Sequence, residues 1–138
     1  MAAQAKHADP ASRCPCGGSA YDRCCGRYVD KALPAPDAEA LMRSRYSAFV
    51  LDLREHLLAT WHPSTRPATI EAPEPGLRWL GLEVRRHRLT GPDAAEVEFV
   101  ARSKIAGRAH RLHERSRFVL EDGHWFYLDG ELDPPSPD

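Results

Sequence analysis

Four cysteines, Cys14, Cys16, Cys24 and Cys25, fall within twelve positions, and none follows in the rest of the 138 residues. A disulfide framework gains most when its bridges close long loops, and these cysteines span only a dozen residues. A bridge between neighbours Cys24 and Cys25, or between Cys14 and Cys16, would be strained; bridges across the two pairs are geometrically open. Four thiolates at C-x-C-x7-C-C can instead close a tetrahedron around one Zn²⁺, and iron is chemically open to the same set. Gly17 and Gly18 allow a tight turn over the ion, and Arg13, Arg23, Arg27 and Lys31 can offset a tetrathiolate's net negative charge. Four protein ligands leave no open position, so such a site would be structural, not catalytic.

The rest of the chain can hold a core, since 42% of its residues are hydrophobic. The formal net charge of −1 provides no global field to gather nucleic acid or an anionic membrane. No apolar run is long enough to span a bilayer, and the start MAAQAKHADPAS has no apolar signal region, so a soluble cytoplasmic protein is expected. Five stretches are expected: a flexible N-terminus over 1–12, a zinc knuckle over 13–31, a stiff ALPAP linker over 32–36, a single α+β domain over 37–133, and a tail over 134–138.

Within that domain Asp37 reads as a helix N-cap, and Met42, Tyr46, Phe49, Val50 and Leu53 recur on one helical face. A second helix is expected to restart at Asp52, with Glu55 completing a capping-box-like pair, and to bury Leu57, Leu58 and Trp61. From Leu77 the period becomes two: Leu80, Leu82 and Val84 share a face, as do Val97, Phe99 and Ala101. Asp122-Gly123 marks a mirror-image hairpin turn. That turn sets Phe118 opposite Tyr127 and Ser116 opposite Asp129, and it puts Trp125 on the same face. Two helices followed by four antiparallel strands give an α+β fold, its sheet curved around the helices.

Such a fold can enclose a pocket. The candidates for its lining are Trp61, His62, Phe118, Trp125 and Tyr127, with Glu114, Ser116 and Asp129 as polar groups and Tyr46 on the helix. Facing aromatics on a hairpin are also ordinary core, and Asp129 before Gly130 also reads as a turn cap. Arg43, Arg45, Arg115 and Arg117 are candidates for an anion clamp, against salt bridges to Glu114, Asp129 or Glu131. His62 reads as a general base or a helix-end cap. Ten basic and five acidic residues lie between Arg78 and Arg117, but without interleaved exposed aromatics nucleic acid is not the expected partner.

The string CPCGGSAYDRCCGRY resembles a SEC-C motif, the zinc knuckle also found at the C-terminus of the SecA translocation ATPase. With LMRSRYSAF, TWHP, WLGLEV, FVAR, ERSRF and HWFYLDG in that order, the chain resembles the YchJ-like family of uncharacterised bacterial proteins from Cys14 to Gly130. The resemblance implies a nuclear-transport-factor-2-like (cystatin-like) cone behind a knuckle holding Zn²⁺. Many members carry a second cysteine knuckle after the last strand, where this chain reads ELDPPSPD. The expected role is a non-catalytic binding or adaptor protein. Its knuckle would dock an unidentified protein, as SecA's does with the SecB chaperone, and its cone would bind a small ligand or pair two copies. The alternatives are an enzyme acting on a small anionic substrate, with Asp129 or Glu114 as acid or base, and a zinc or redox sensor.

Overall fold

The computed structural model describes residues 11–135. The expected termini therefore lie outside the described residues, except for residues 11, 12, 134 and 135. A short 3-10 turn over Tyr21–Arg23 and helix α1 (Gly26–Val29) follow the first cysteine pair. Helices α2 (Ala38–Leu51) and α3 (Arg54–Ala59) come next. Strands β1 (Arg78–Gly91), β2 (Ala94–Ile105), β3 (Arg108–Glu121) and β4 (His124–Leu132) complete the chain. The strands form one antiparallel meander in the order β1-β2-β3-β4, with α2 packed on one face. The α+β architecture expected from the pattern is the one observed.

Helix α2 starts as its sequence dictates: the Asp37 side chain accepts a hydrogen bond from Ala40 N at 2.7 Å. Its burial is not confined to one stripe. Met42 and Tyr46 face the sheet, while Leu41, Ser44, Ser47, Ala48 and Leu51 are also buried. Ser44 turns its hydroxyl back to Leu41 O at 2.7 Å and meets His56 Nε2 of α3 at 2.9 Å, so these polar positions cost little to bury. Phe49, expected inside, is 41% exposed, and Leu53 caps α3 instead of extending the stripe. The expected capping box at Asp52 and Glu55 does not form. Asp52 is the left-handed C-cap of α2, and its carboxylate pairs with Arg54. Leu57 is fully buried, whereas Leu58 and Trp61 are only partly so.

Two of the four register shifts in the sheet, both bulges, reset the faces beside α2. Trp79 pairs with Ser103 and Gly81 with Arg102, leaving Leu80 between them. The phase therefore slips: Trp79 joins Leu82 and Val84 against the core, and Leu80, expected inside, is 52% exposed. The β3–β4 hairpin keeps the expected register near its turn. Asp122 and Gly123 both have positive φ, Glu121 faces His124 and Phe118 faces Tyr127. Beyond Tyr127 the register shifts by one, so Asp129 pairs with Arg117 and Ser116 with Gly130.

The stretch read as a linker is mostly exposed but anchored at one residue. Leu33 N donates to Arg27 O, and Ala35 is buried in the same core cluster as Cys14, Cys16, Tyr21, Cys25 and Leu41. Among the described residues no helix is long and apolar enough to cross a membrane.

Burial gives two checks on this packing. Phe118→Ala removes a side chain only 1% exposed and should cost about 3–5 kcal/mol by denaturant unfolding, while Leu80→Ala should change stability by roughly 0.5 kcal/mol or less. Burial and the nearby Arg45 hold the His56 imidazole down at about 4, below its ordinary value near 6.5. His56 is neutral in both states above that ordinary value. Below it the unfolded chain takes up a proton that the folded chain refuses until about pH 4, so stability should fall across that window. His56→Gln should flatten the slope in denaturant titrations at successive pH values. An equal slope in both proteins would refute the assignment.

Candidate functional site: a tetracysteine knuckle and a cavity on opposite sides of α2

The knuckle is built by short-range backbone bonds. Tyr21 N donates to Ser12 O, Cys14 N to Ser19 O, and Gly17 N to Cys14 O, folding residues 12–21 into a small hairpin. The 3-10 turn and the start of α1 then return Cys24 and Cys25 to the same spot. All four sulfurs lie within 4.8 Å of one another, with Cys16 and Cys24 Sγ 3.5 Å apart, and none is bonded to another. A tetrahedron with Zn–S bonds of about 2.3 Å has edges of about 3.8 Å, so the observed spacing fits one ion. Gly18 is required here, because a Cβ at that position would lie 2.7 Å from Cys24 Sγ.

The electrostatics of the cluster point the same way. Hydrogen bonds from Cys16 and Cys25 drive the Cys14 thiol far below its ordinary value, and the reciprocal bonds push Cys25 up. Burial raises Cys24 to about 11. Four thiolates packed this closely need a positive ion between them, and the cluster could hold one.

Helix α2 supplies the surroundings of this site. Cys14 Sγ lies 3.5 Å from Ser47 Oγ, and the Arg43 guanidinium donates to Cys16 O at 3.3 Å while pairing with Glu39. Arg43 thus belongs to the knuckle, not to the pocket where it was expected. Of the flanking cations read from the sequence, Arg27 donates to Cys24 O and Arg13 to Gly17 O. Ser47 was missed: a serine inside a helical pattern carries no sequence sign that a cysteine 33 residues away will meet it.

On the sheet side of α2 lies a cavity of about 200 Å³. Arg45, Tyr46, Trp61, Glu114, Ser116, Phe118 and Tyr127, all expected there, line it. Met42, Trp79, Phe99 and Ala101 complete the wall, with Phe49 and Leu112 as partly exposed lining. Arg45, expected off the apolar stripe, is 6% exposed. Its Nη1 donates to Leu57 O at 2.8 Å and to Thr60 Oγ1 at 2.6 Å. Its guanidinium carbon lies 4.6 Å from the Tyr127 ring centroid and 5.2 Å from that of Trp61. Burial lowers the Arg45 guanidinium to about 10, which leaves it charged at neutral pH. Across the cavity Glu114 Oε2 accepts from Ser116 Oγ at 2.6 Å and from Tyr127 OH at 3.3 Å, and burial beside Glu114 pushes the Tyr127 phenol up.

Besides Arg43, three expected pocket residues lie elsewhere. The bulge after Tyr127 carries Asp129 to the other face, where Arg117 grips it with two hydrogen bonds and holds its carboxyl below the usual range. Trp125 shares a face with Tyr127 but lies further along, in a separate cleft with Tyr28 and His56. His62 points outward, bonding Glu121 and Ser64; only its backbone N–H, donating to Tyr127 O, braces the cavity wall. Arg115 pairs with Glu131 on the outer face, as the salt-bridge reading expected. The basic excess between Arg78 and Arg117 is laced to acids there: Arg88 to Glu96, Arg102 to Glu83, and His113 to Glu98. Gly130 was missed as a site residue. A Cβ there would collide with the Glu114 carboxylate, so this glycine makes room for it.

The comparisons agree with this two-part architecture. The family model for the YchJ middle NTF2-like domain matches residues 37–130. A UPF0225 protein of Methylibium petroleiphilum is 81% identical over 135 residues, covering 98% of each chain. The solution structure of a SEC-C motif containing protein from Rhodopseudomonas palustris superposes with a TM-score of 0.76 at 32% identity, covering 87% of this chain and 98% of that one. The crystal structure of a SEC-C motif containing protein from Psychrobacter arcticus gives a TM-score of 0.75 at 29% identity, over 92% and 86% of the two chains. An NTF2-like cone joined to an N-terminal SEC-C motif, with relatives this close along its whole length, places the chain in the YchJ-like UPF0225 family.

Proposed function

We propose that this protein is a zinc-organised binding protein, in which Cys14, Cys16, Cys24 and Cys25 hold a structural Zn²⁺ and the cone cavity takes a small anionic ligand. The observation that carries this reading is the position of α2. One side of the helix gives Ser47 and Arg43 to the knuckle, and another gives Met42, Arg45 and Tyr46 to the cavity. A metal that fixes the knuckle therefore fixes the helix that shapes the cavity. Four cysteine ligands complete the coordination of zinc, so the ion supplies folding free energy and has no open position for substrate.

The inward packing of the knuckle favours this structural role over protein docking. Tyr21 and Tyr28 are buried against the body of the protein, and the cysteines share its core. Binding is favoured over catalysis because Asp129 and His62, the acid and base candidates that would act beside Glu114, do not line the cavity.

Protein purified natively without chelator should contain one zinc per chain by elemental analysis. Stripping the metal, or the substitution Cys25→Ser, should remove several kcal/mol of stability and lower Tm by on the order of 10 °C. Adding Zn²⁺ should restore the stripped wild type. Metal-free material with reactive thiols and an unchanged Tm would overturn the zinc assignment.

A further inference from the structure

We propose that the cavity recognises a small organic carboxylate with an apolar body and a hydrogen-bond donor, its carboxylate on the free edge of Arg45 and its donor on Glu114. This rests on the reading of the cone cavity as a ligand site and names the chemistry of what it takes.

Arg45 is the first ground. A guanidinium carries five N–H donors, and here only Nη1 is used within the protein. Among the described residues Nε and Nη2 have no acceptor in hydrogen-bond range, and no carboxylate lies within ion-pair distance of Arg45. The residue is only 6% exposed, yet its unused N–H groups are not sealed off as orphaned buried atoms, which leaves them open to a ligand. The bonds to Leu57 O and Thr60 Oγ1 pin one edge, and the rings of Trp61 and Tyr127 pack against the guanidinium. What remains is the Nε/Nη2 edge, the pair of parallel donors that matches the two oxygens of a carboxylate.

Glu114 is the second ground. Its Oε2 is engaged by Ser116 and Tyr127, while Oε1 has no partner among the described residues. A carboxylate at the same cavity opposes a dianionic phosphate and favours a monoanion that also presents an O–H or N–H. The remaining wall is almost wholly apolar, with Trp79, Phe99 and Phe118 prominent, so it suits a ring or branched chain and offers nothing to a phosphate's third oxygen. The cavity, of about 200 Å³, suits a small ligand.

Three probes of similar size separate the components: phenyllactate carries the acid and the hydroxyl, 3-phenylpropanoate the acid alone, and 3-phenylpropane-1,2-diol no acid. Each is titrated to millimolar concentration into the zinc-replete full chain, followed by the NMR signals of the Trp61 and Trp79 indoles. Phenyllactate should bind tightest, about tenfold or more ahead of the diol, with 3-phenylpropanoate between them. Arg45→Gln should erase the advantage of the acids. Glu114→Gln should erase only that of phenyllactate over 3-phenylpropanoate. If Arg45→Gln fails to fold, the ranking of the probes on the wild type decides alone. A diol that binds as well as the acids overturns the carboxylate assignment and leaves the cavity as a binding site. Indole signals unmoved by all three probes overturn the cavity reading itself.

Discussion

The structure depends on a helix that is buried on more than one side. α2 has to satisfy a thiol cluster across one surface and an aromatic sheet across another, which leaves little of it facing water. Small residues make this workable. Ala38, Ser44, Ser47 and Ala48 are each fully buried, so neighbouring backbone can approach closely. The serines dispose of their own polarity locally or against His56 and Cys14. The knuckle is therefore not an appendage tethered by a proline-rich spacer. It forms one wall of the same core, and Ala35 in the intervening segment is part of that wall.

That arrangement explains which features were legible in the sequence. The four cysteines could be read because their geometry is set by local turns within a dozen residues, and a motif of that kind needs no knowledge of the rest of the fold. The Asp37 cap and the Asp122-Gly123 hairpin could be read for the same reason, since each is fixed by a backbone conformation that few residues adopt. The helix faces could not. An amphipathic stripe presumes one buried side, so Arg45 read as outward and Phe49 as inward, and the structure reverses both.

The two bulges mark another limit. Alternation predicts strand faces only while pairing is one to one, and a single extra residue inverts everything beyond it. At Leu80 the slip brings Trp79 to the cavity, and between Tyr127 and Asp129 it sends Asp129 to the outer face and sets Gly130 opposite Ser116. No residue pair announces either slip, because a bulge is chosen by what the sheet must pack against. The candidate site thus gained Trp79 and Gly130 and lost Asp129 for one and the same reason.

The bulge also sorts the charges. Acids and bases that alternate across the outer face neutralise one another in exposed pairs such as Arg117–Asp129 and Arg115–Glu131, each worth little in water. Had Asp129 kept its expected register, it would have shared the inward face with Tyr127. Its removal leaves a buried guanidinium whose nearest acid, Glu114, is bound to its own neighbours. Arg45 and Glu114 are thus the charged groups on an otherwise largely apolar cavity wall. The same slip that spoils the sequence reading of Asp129 leaves those two charges on the cavity wall without it.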